Sequence, residues 1–298
     1  MRTPSTRKTE PKTKHLYMNT GFYPGCSLNG TSREYNESVR AVAAELGLKL
    51  TEIDDWNCCG ATAAHSMSRE LSVALPARVL ALAEQQGFDE VLVPCASCYN
   101  RLSVAAHELA RDEELAAKVG AAVGMAYSGK VRIVNVLQYL QEHAAQLLPG
   151  KIRHNFAHRV ACYYGCLLVR PHKVLGFDRL EDPQSMDGMM RAIGAEPIDW
   201  AFKTECCGAG LSVSRTDLVG KLSANILGDA RDRGAEAVVV ACPMCHSNLD
   251  MRRTAINKCL DEPTDIPVLY ITQAIGLALG LSRKALGLQR HIVEVKLQ

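Results

Sequence analysis

A cysteine pattern that occurs twice constrains this chain more than any other feature. The tripeptide Cys-Cys-Gly stands at positions 58–60 and again at 206–208 of the 298 residues. Each copy follows a single cysteine in a Tyr-x-Gly-Cys setting and precedes a Cys-x-x-Cys pair. Ten of the twelve cysteines therefore form two sets of five, which are Cys26, Cys58, Cys59, Cys95 and Cys98, and Cys166, Cys206, Cys207, Cys242 and Cys245.

Short apolar runs alternate with helical patterns in both halves. The runs at 91–93 and 237–240 are wholly apolar, as is typical of strands buried on both faces of a parallel sheet. The alternation predicts an α/β protein with two pseudo-symmetric, Rossmann-like halves, mostly parallel sheets, and cysteines in loops at the carboxyl ends of the strands. We expect a disordered tail at 1–15, a first cysteine-rich domain at 16–150 and a second at 151–298.

Composition and charge exclude several classes of function. A net charge of +2, from 34 basic and 32 acidic side chains, gives no field that would attract nucleic acid. The apolar run at 268–281 is shorter than the ~20 residues that cross a bilayer, so no transmembrane helix is predicted. The basic segment 1–15 lacks the apolar stretch of a secretion signal. These features predict a cytoplasmic protein, where clustered cysteines bind metal or perform redox chemistry.

The number of thiolates favours an iron–sulfur cluster over zinc. A structural zinc and a cubane cluster each take four ligands, whereas each set offers five, two of them adjacent in sequence. Adjacent thiolates suit a polynuclear centre, and Gly60 allows the backbone to pass close to it. Zinc in one site stays the alternative. Cys162 and Cys259 lie outside the sets and are expected to be small buried side chains. Cys162 competes with Cys166 as a fifth ligand, but the Tyr-x-Gly setting favours Cys166.

These residues resemble the family of tandem cysteine-rich CCG domains that contains the B subunit of heterodisulfide reductase. The similarity extends over residues 17–281 and includes, besides the cysteines, Ser27, Ala61-Thr62, Arg170-Pro171, residues 185–187, Pro243 and residues 248–250. The resemblance implies that each set of five cysteines holds a noncubane [4Fe-4S] cluster and that both halves are CCG domains. It implies an oxidoreductase that works within a complex and cleaves a small disulfide to two thiols. The implied electron donor is a small ferredoxin-like subunit, which a flavin-bearing subunit supplies in turn.

Four charged or titratable side chains lie close in sequence to the cysteines and are candidates for binding an acidic substrate or donating a proton. They are Arg33, Arg170, Lys203 and His246. The alternative for each is a surface charge or a structural hydrogen bond, and the sequence identifies no general acid.

Two other functions stay open at this point. One is an electron-transfer subunit of a lactate, glycolate or glycerol-3-phosphate oxidising complex, which resembles the same family and cleaves no disulfide. The other is a zinc-stabilised scaffold subunit. The contexts of residues 57–62 and 242–245 favour the reductase. Trp56 lies much nearer in sequence to Cys58 than Trp200 does to Cys206, so we expect two similar clusters in unequal surroundings.

Overall fold

The structure is a computed structural model that describes residues 18–61 and 64–297. The disordered tail predicted for 1–15 lies outside the described residues. The strands are β1 (Thr20–Phe22), β2 (Thr51–Glu52), β3 (Glu90–Val93), β4 (Arg132–Asn135), β5 (Arg159–Tyr163), β6 (Glu196–Pro197), β7 (Ala237–Val240) and β8 (Val268–Tyr270).

Helices connect these strands in both halves. They are α1 (Gly25–Asn29), α2 (Arg33–Leu46), α3 (Ala64–Met67), α4 (Arg69–Gln85), α5 (Ala96–Leu109), α6 (Glu113–Val123), α7 (Val136–Tyr139), α8 (His172–Leu175), α9 (Ser185–Ala192), α10 (Thr216–Asp232), α11 (Pro243–His246), α12 (Arg253–Asn257) and α13 (Ile271–Ala278). Single π-helical turns follow α7 and α11, at Leu140–Ala144 and Ser247–Met251. Short 3₁₀ turns lie at Leu148–Gly150, Ala201–Thr204, Ala209–Leu211 and Leu288–Arg290.

The two halves have the same sheet topology. The strand orders are β2-β1-β3-β4 and β6-β5-β7-β8, and the strands in both sheets pair in parallel. Strands β3 and β7 are buried along their whole length, as their apolar sequences predicted. The predicted α/β fold with two pseudo-symmetric halves is therefore confirmed. The division at 150/151 stays a proposal.

Some predicted elements are shorter than expected. The strand expected at 48–53 is reduced to β2, which lies at the sheet edge, where a strand has one neighbour to bond. The helix expected at 137–148 is α7 followed by a π-helical turn. Helix α2 ends as predicted, because Gly47 adopts the left-handed conformation with φ of 76°.

The halves pack against each other reciprocally. Helix α2 of the first half contacts α13 of the second, and α7 contacts α9, which occupy the matching positions in the repeat. The Ser38 and Thr272 hydroxyls form a buried hydrogen bond of 2.7 Å across this interface. Asn100 Nδ2 donates to the carbonyl oxygens of Leu167 and Arg170. The hydrophobic core is continuous through both sheets. In the described part of the chain, no helix is long and apolar enough to cross a membrane.

Candidate metal centres

The ten cysteines follow the carboxyl ends of matching strands. Cys26 follows β1, the Cys-Cys pair follows β2, and Cys95 follows β3; the second half repeats this order after β5, β6 and β7. Seven of the ten lie outside regular elements, as expected, whereas Cys26, Cys98 and Cys245 lie in the short or first helical turns that follow the strands. The first turn of a helix presents free backbone N–H groups, which favours an anionic centre at this position.

Within each set the sulfur atoms lie close together. In the first set, Cys59 Sγ lies 3.2 Å from Cys98 Sγ and Cys58 Sγ lies 3.8 Å from Cys26 Sγ. In the second set, Cys207 Sγ lies 3.5 Å from Cys245 Sγ. This spacing fits thiolates that share one polynuclear metal centre.

Backbone N–H groups support the thiolates in both halves. The Gly60 N–H donates to Cys58 Sγ at 3.5 Å, and the Gly208 N–H donates to Cys206 Sγ at 3.3 Å. Both glycines have positive φ, 73° and 80°, so the backbone turns directly after the Cys-Cys pair. The role expected for Gly60 in allowing a close backbone approach agrees with this geometry.

Contacts among the thiols favour the thiolate form at particular positions. Hydrogen bonds from Cys58 and Cys98 lower the pKa of Cys59 to about 4. A hydrogen bond from Cys166 lowers the pKa of Cys206 to about 6. The donating thiols Cys58 and Cys166 have raised pKa values because their partners hold the negative charge. Thiolate is the form that binds metal, so this donor set fits a metal cluster.

The two sets meet at one point. The thiols of Cys95, from the first set, and Cys242, from the second, are close enough to shift each other's pKa, upward for Cys95 and downward for Cys242. Both residues cap the helices that follow the central strands β3 and β7. The two candidate centres are therefore neighbours.

One glycine in each half lies against a thiol. A Cβ atom at Gly25 would lie 3.2 Å from Cys98 Sγ, and a Cβ atom at Gly165 would lie 3.0 Å from Cys245 Sγ. Both glycines have positive φ, 62° and 67°. They are the glycines of the Tyr-x-Gly-Cys settings, so this part of the motif leaves room for the sulfur atoms.

We expect Gly165→Ala to weaken the second centre. The new methyl group would crowd Cys245 Sγ. In addition, alanine disfavours the positive φ at this position, which costs about 1–2 kcal/mol before any displacement of the thiol. Gly47→Ala is the matched control, because its φ is also positive and no atom lies within 4 Å of the added Cβ. Iron content after anaerobic purification should fall in Gly165→Ala and not in Gly47→Ala. Equal iron in both variants would contradict the close-packing role.

Buried tyrosines hold the two Cys-Cys segments in equivalent ways. The Tyr23 hydroxyl donates to the Asn57 carbonyl at 2.8 Å, and the Tyr163 hydroxyl donates to the Glu205 carbonyl at 2.6 Å. Each carbonyl belongs to the residue before the Cys-Cys pair. Burial raises the pKa of Tyr23 and Tyr163, so both hydroxyls keep their protons and act as donors.

The surroundings of the two segments are otherwise unequal. In the first half, Arg78 donates to the Asp55 carbonyl and to Asn57 Oδ1. In the second half, the Lys203 carbonyl accepts the N–H groups of Tyr164 and Gly165. The tryptophans also differ, since Trp56 Nε1 donates to the Glu52 carboxylate and Trp200 Nε1 to the Cys162 carbonyl.

Two of the four candidate substrate residues have structural partners. The buried Lys203 ammonium lies 2.8 Å from Asp182 Oδ1, 3.0 Å from Asp187 Oδ1 and 3.1 Å from the Pro183 carbonyl. Three acceptors match its three protons, which favours the structural alternative for Lys203. Arg170 donates to the Thr204 carbonyl and to Glu181 at 2.9 Å. The guanidinium therefore braces the segment before Cys206.

The other two candidates line a cavity of about 510 Å³ between the halves. Arg33 is exposed there, whereas His246 is buried and stacks on Tyr270 with ring centroids 4.3 Å apart. His246 Nε2 lies 3.1 Å from the Val268 carbonyl, which gives this nitrogen the proton. The same cavity is lined by Glu34, a residue that the sequence reasoning missed. Its position in an amphipathic helix gave no signal that it is buried.

The two cysteines outside the sets differ from each other. Cys162 is fully buried in β5, as predicted, and its thiol lies beside Asp187 rather than in the cysteine set. The prediction that Cys259 is buried is wrong, because this residue is exposed in the turn after α12. Cys259 follows the end of a short helix, and the sequence pattern there does not indicate which residues would pack over its side chain.

Comparison with known proteins identifies both halves. The CCG cysteine-rich domain matches residues 20–103 and 160–250, together more than half of the chain. The 8-methylmenaquinol:fumarate reductase membrane anchor subunit of Wolinella succinogenes is 33% identical over 275 residues, 92% of this chain and 96% of that protein. The B subunit of the ferredoxin/F420H2-dependent CoB-CoM heterodisulfide reductase of Methanosarcina acetivorans is 29% identical over 92% of this chain and 93% of its own length.

A solved structure shares the fold. The crystal structure of a hypothetical protein from Helicobacter pylori superposes with a TM-score of 0.75 at 14% identity. The superposition covers 93% of this chain and 52% of the other, so this chain spans about half of that protein's length.

Proposed function

The chain belongs to the family of tandem CCG cysteine-rich domain proteins that includes the B subunit of heterodisulfide reductase, and we propose that it is the catalytic component of a disulfide-reducing complex. In this proposal each set of five cysteines holds a noncubane [4Fe-4S] cluster. A small disulfide is cleaved to two thiols between the sets. The coarser conclusion, an iron–sulfur oxidoreductase subunit, is supported by the family match and by the donor set.

The observation that carries the proposal is the contact between Cys95 and Cys242. This contact brings the two sets side by side, which supports the proposal that each sulfur of one disulfide meets its own centre. When bound, the clusters supply electrons and iron sites with affinity for thiolate sulfur. The chain's own residues fix the geometry: Gly25 and Gly165 leave room for the ligand sulfurs, and Gly60 and Gly208 donate N–H groups to them.

The cavity between the halves is the proposed route for substrate. Arg33 is exposed at this cavity and carries a permanent positive charge, which suits a disulfide with acidic substituents. Arg170 and Lys203 are proposed to support the second Cys-Cys segment rather than to bind substrate, because both side chains already pair with carboxylates, Arg170 with Glu181 and Lys203 with Asp187.

Partner proteins follow from the need for a reductant. The relatives from Methanosarcina are named as parts of heterodisulfide reductases, which are complexes of several chains. We propose that a ferredoxin-like subunit is the direct electron donor and that a flavin-bearing subunit reduces it. The cytoplasm is the proposed compartment, because reducing conditions keep the ten thiols available for metal.

The first test is metal analysis followed by turnover. The protein purified without oxygen should contain iron and acid-labile sulfide, and a reduced viologen dye with candidate disulfides should give two thiols per disulfide. Zinc at about one ion per half, without iron, would contradict the cluster assignment and favour the scaffold.

A second candidate function is supported by the similarity to the fumarate reductase subunit of Wolinella succinogenes. In that case the chain passes electrons without cleaving a disulfide. Clusters that are reduced and reoxidised by redox partners, with no thiol release from any disulfide, would favour this function.

A further inference from the structure

A polar cleft lies beside the two centres. One wall is the segment 30–34, which follows α1 and hence Cys26; the other includes His246 and Ser247, which follow Cys245 directly. Helices α1 and α11 contact each other at this place. The cleft is therefore lined by segments that follow a cysteine of each set.

Glu34 is a buried carboxyl group in the wall of this cleft. It lies in the first turn of α2 and is 6% exposed. Its carboxyl accepts hydrogen bonds from the Tyr270 hydroxyl, at 3.3 Å, and from its own backbone N–H. Gly287, with φ of 68°, lets the C-terminal segment pack directly on it, since a Cβ atom there would lie 2.6 Å from Glu34 Cβ.

Glu34 is connected to the cysteine sets through its neighbours. Tyr35 stacks on Tyr270 with ring centroids 4.0 Å apart and parallel rings. The Tyr35 hydroxyl donates to the carbonyl of Pro94, the residue before Cys95. Both rings are buried, so the chain of contacts from Glu34 to the segment of Cys95 runs through the interior of the protein.

Burial is the largest influence on this carboxyl group. It raises the pKa of Glu34, with a smaller contribution from the negative charge of Asp250. The hydrogen bond from its own backbone N–H, the Tyr270 hydrogen bond and the positive charge of Arg290 lower this pKa, and each is weaker than burial. Arg290 is itself paired with Glu37 at 2.9 Å.

The other polar groups of the cleft are engaged differently. Asp250 accepts the backbone N–H groups of Ile292 and Val293 through its two oxygens, at 2.8 and 3.1 Å. The proton on His246 Nε2 is used by the Val268 carbonyl. Arg33 carries a guanidinium cation and has no carboxyl group. Among the described residues that line the cleft, Glu34 combines burial with a carboxyl group whose pKa is raised above its ordinary value.

We propose that Glu34 is the general acid that protonates a thiolate released on disulfide cleavage. This inference rests on the proposed function. The balanced reaction is RS–SR′ + 2 e⁻ + 2 H⁺ → RSH + R′SH, in which the S–S bond breaks and each sulfur gains one electron and one proton. A reduced iron–sulfur protein supplies the electrons. Glu34 transfers one proton per turnover and regains it from water in the cleft, and solvent supplies the second proton.

Glu34→Gln is the direct test, made in the complete iron-loaded complex with a reduced viologen dye as donor. We expect turnover to fall about 10²-fold, the usual contribution of a general acid. In the parent, the rate should decline as the pH rises through the pKa of Glu34, because the carboxyl group loses its proton. That decline should be absent in Glu34→Gln. Infrared spectroscopy against pH should show the C=O stretching band of the protonated Glu34 carboxyl group in the parent. This band should be missing in Glu34→Gln.

Two further variants make the result specific. Glu45→Gln changes a carboxylate at the other end of α2, where it pairs with Arg153, and should keep the parent rate and pH profile. Glu34→Asp should recover part of the rate and move the decline to lower pH, since an aspartate has the lower intrinsic pKa. If Glu34→Gln loses iron, the pH profile of Glu34→Asp still tests whether Glu34 donates the proton.

The outcomes separate the two hypotheses. A parent complex that releases thiols, together with an unchanged rate and pH profile in Glu34→Gln, overturns the role of Glu34 and leaves disulfide reduction standing. An unchanged pH limb in Glu34→Asp has the same meaning. A parent complex with full iron that reduces no disulfide overturns both.

Discussion

Cys206→Ala should remove the second metal centre and abolish disulfide reduction while the first centre remains. Cys206 is the exposed thiol whose pKa is lowered to about 6 by a hydrogen bond from Cys166, and Gly208 donates its N–H to the same sulfur. Its loss leaves the second set with four thiolates. Iron and acid-labile sulfide per chain should fall to about half, because in the proposed arrangement each set holds its own cluster. Cys58→Ala should give the mirror result in the first set.

The controls are the two cysteines outside the sets. Cys259→Ala alters an exposed thiol, and Cys162→Ala alters a buried one in β5. Both should keep the parent's iron content, and the spectrum of the reduced clusters should be unchanged. Retained disulfide turnover in Cys58→Ala or Cys206→Ala would refute the catalytic role of the clusters. Lost iron in Cys162→Ala would reopen its competition with Cys166.

The repeated cysteines made much of this architecture predictable. Cysteine pairs at nearly equal spacing mark equivalent points of two structural repeats, and the apolar runs of β3 and β7 identify the central strands. In parallel sheets the carboxyl ends of the strands lie at one edge, so the cysteines had to be neighbours within each half. The equivalence of Cys166 and Cys26 could also be predicted, because both follow a Tyr-x-Gly sequence. In the structure this sequence provides a tyrosine hydrogen-bond donor and a glycine beside a thiol.

Contacts between the halves were not readable from sequence. The meeting of Cys95 with Cys242 depends on how α2 packs on α13 and α7 on α9, and no local pattern specifies this packing. Glu34 was missed for the same reason: an acidic residue in the first turn of a helix ordinarily faces water. Its burial results from the C-terminal segment at Gly287, which is 253 positions away.

The asymmetry predicted from the two tryptophans has a physical basis in the partners of the Cys-Cys segments. The first segment is bonded by Arg78, which is partly exposed, whereas the second follows Lys203, whose buried ammonium is paired with Asp187. A buried ion pair responds to the loss of one partner much more strongly than a surface pair does. The two centres should therefore differ in their sensitivity to mutation, even though their sulfur donors are equivalent.

Lys203→Met should destabilise the protein by about 3 kcal/mol, since it leaves Asp187 buried without its cation. The side chains of Lys203 and Asp187 are 3% and 2% exposed, and their charged atoms lie 3.0 Å apart. Asp187 also accepts a hydrogen bond of 2.6 Å from the Tyr164 hydroxyl. Urea unfolding of the anaerobic, iron-loaded protein, followed by circular dichroism, measures the loss.

A surface ion pair provides the comparison. Arg215→Met removes a 2.8 Å pair with Asp217 whose side chains are 55% and 58% exposed, and should leave the free energy of unfolding close to the parent value, because solvent screens an exposed pair. The double variant Lys203→Met/Asp187→Asn should be less destabilised than the sum of its single variants, because the buried charge is removed together with its partner.

Since the Lys203 backbone anchors Tyr164 and Gly165, iron should be lost from the second centre before the first. Equal losses from both centres would mean that Lys203 supports the whole fold and has no particular role in the segment of Cys206.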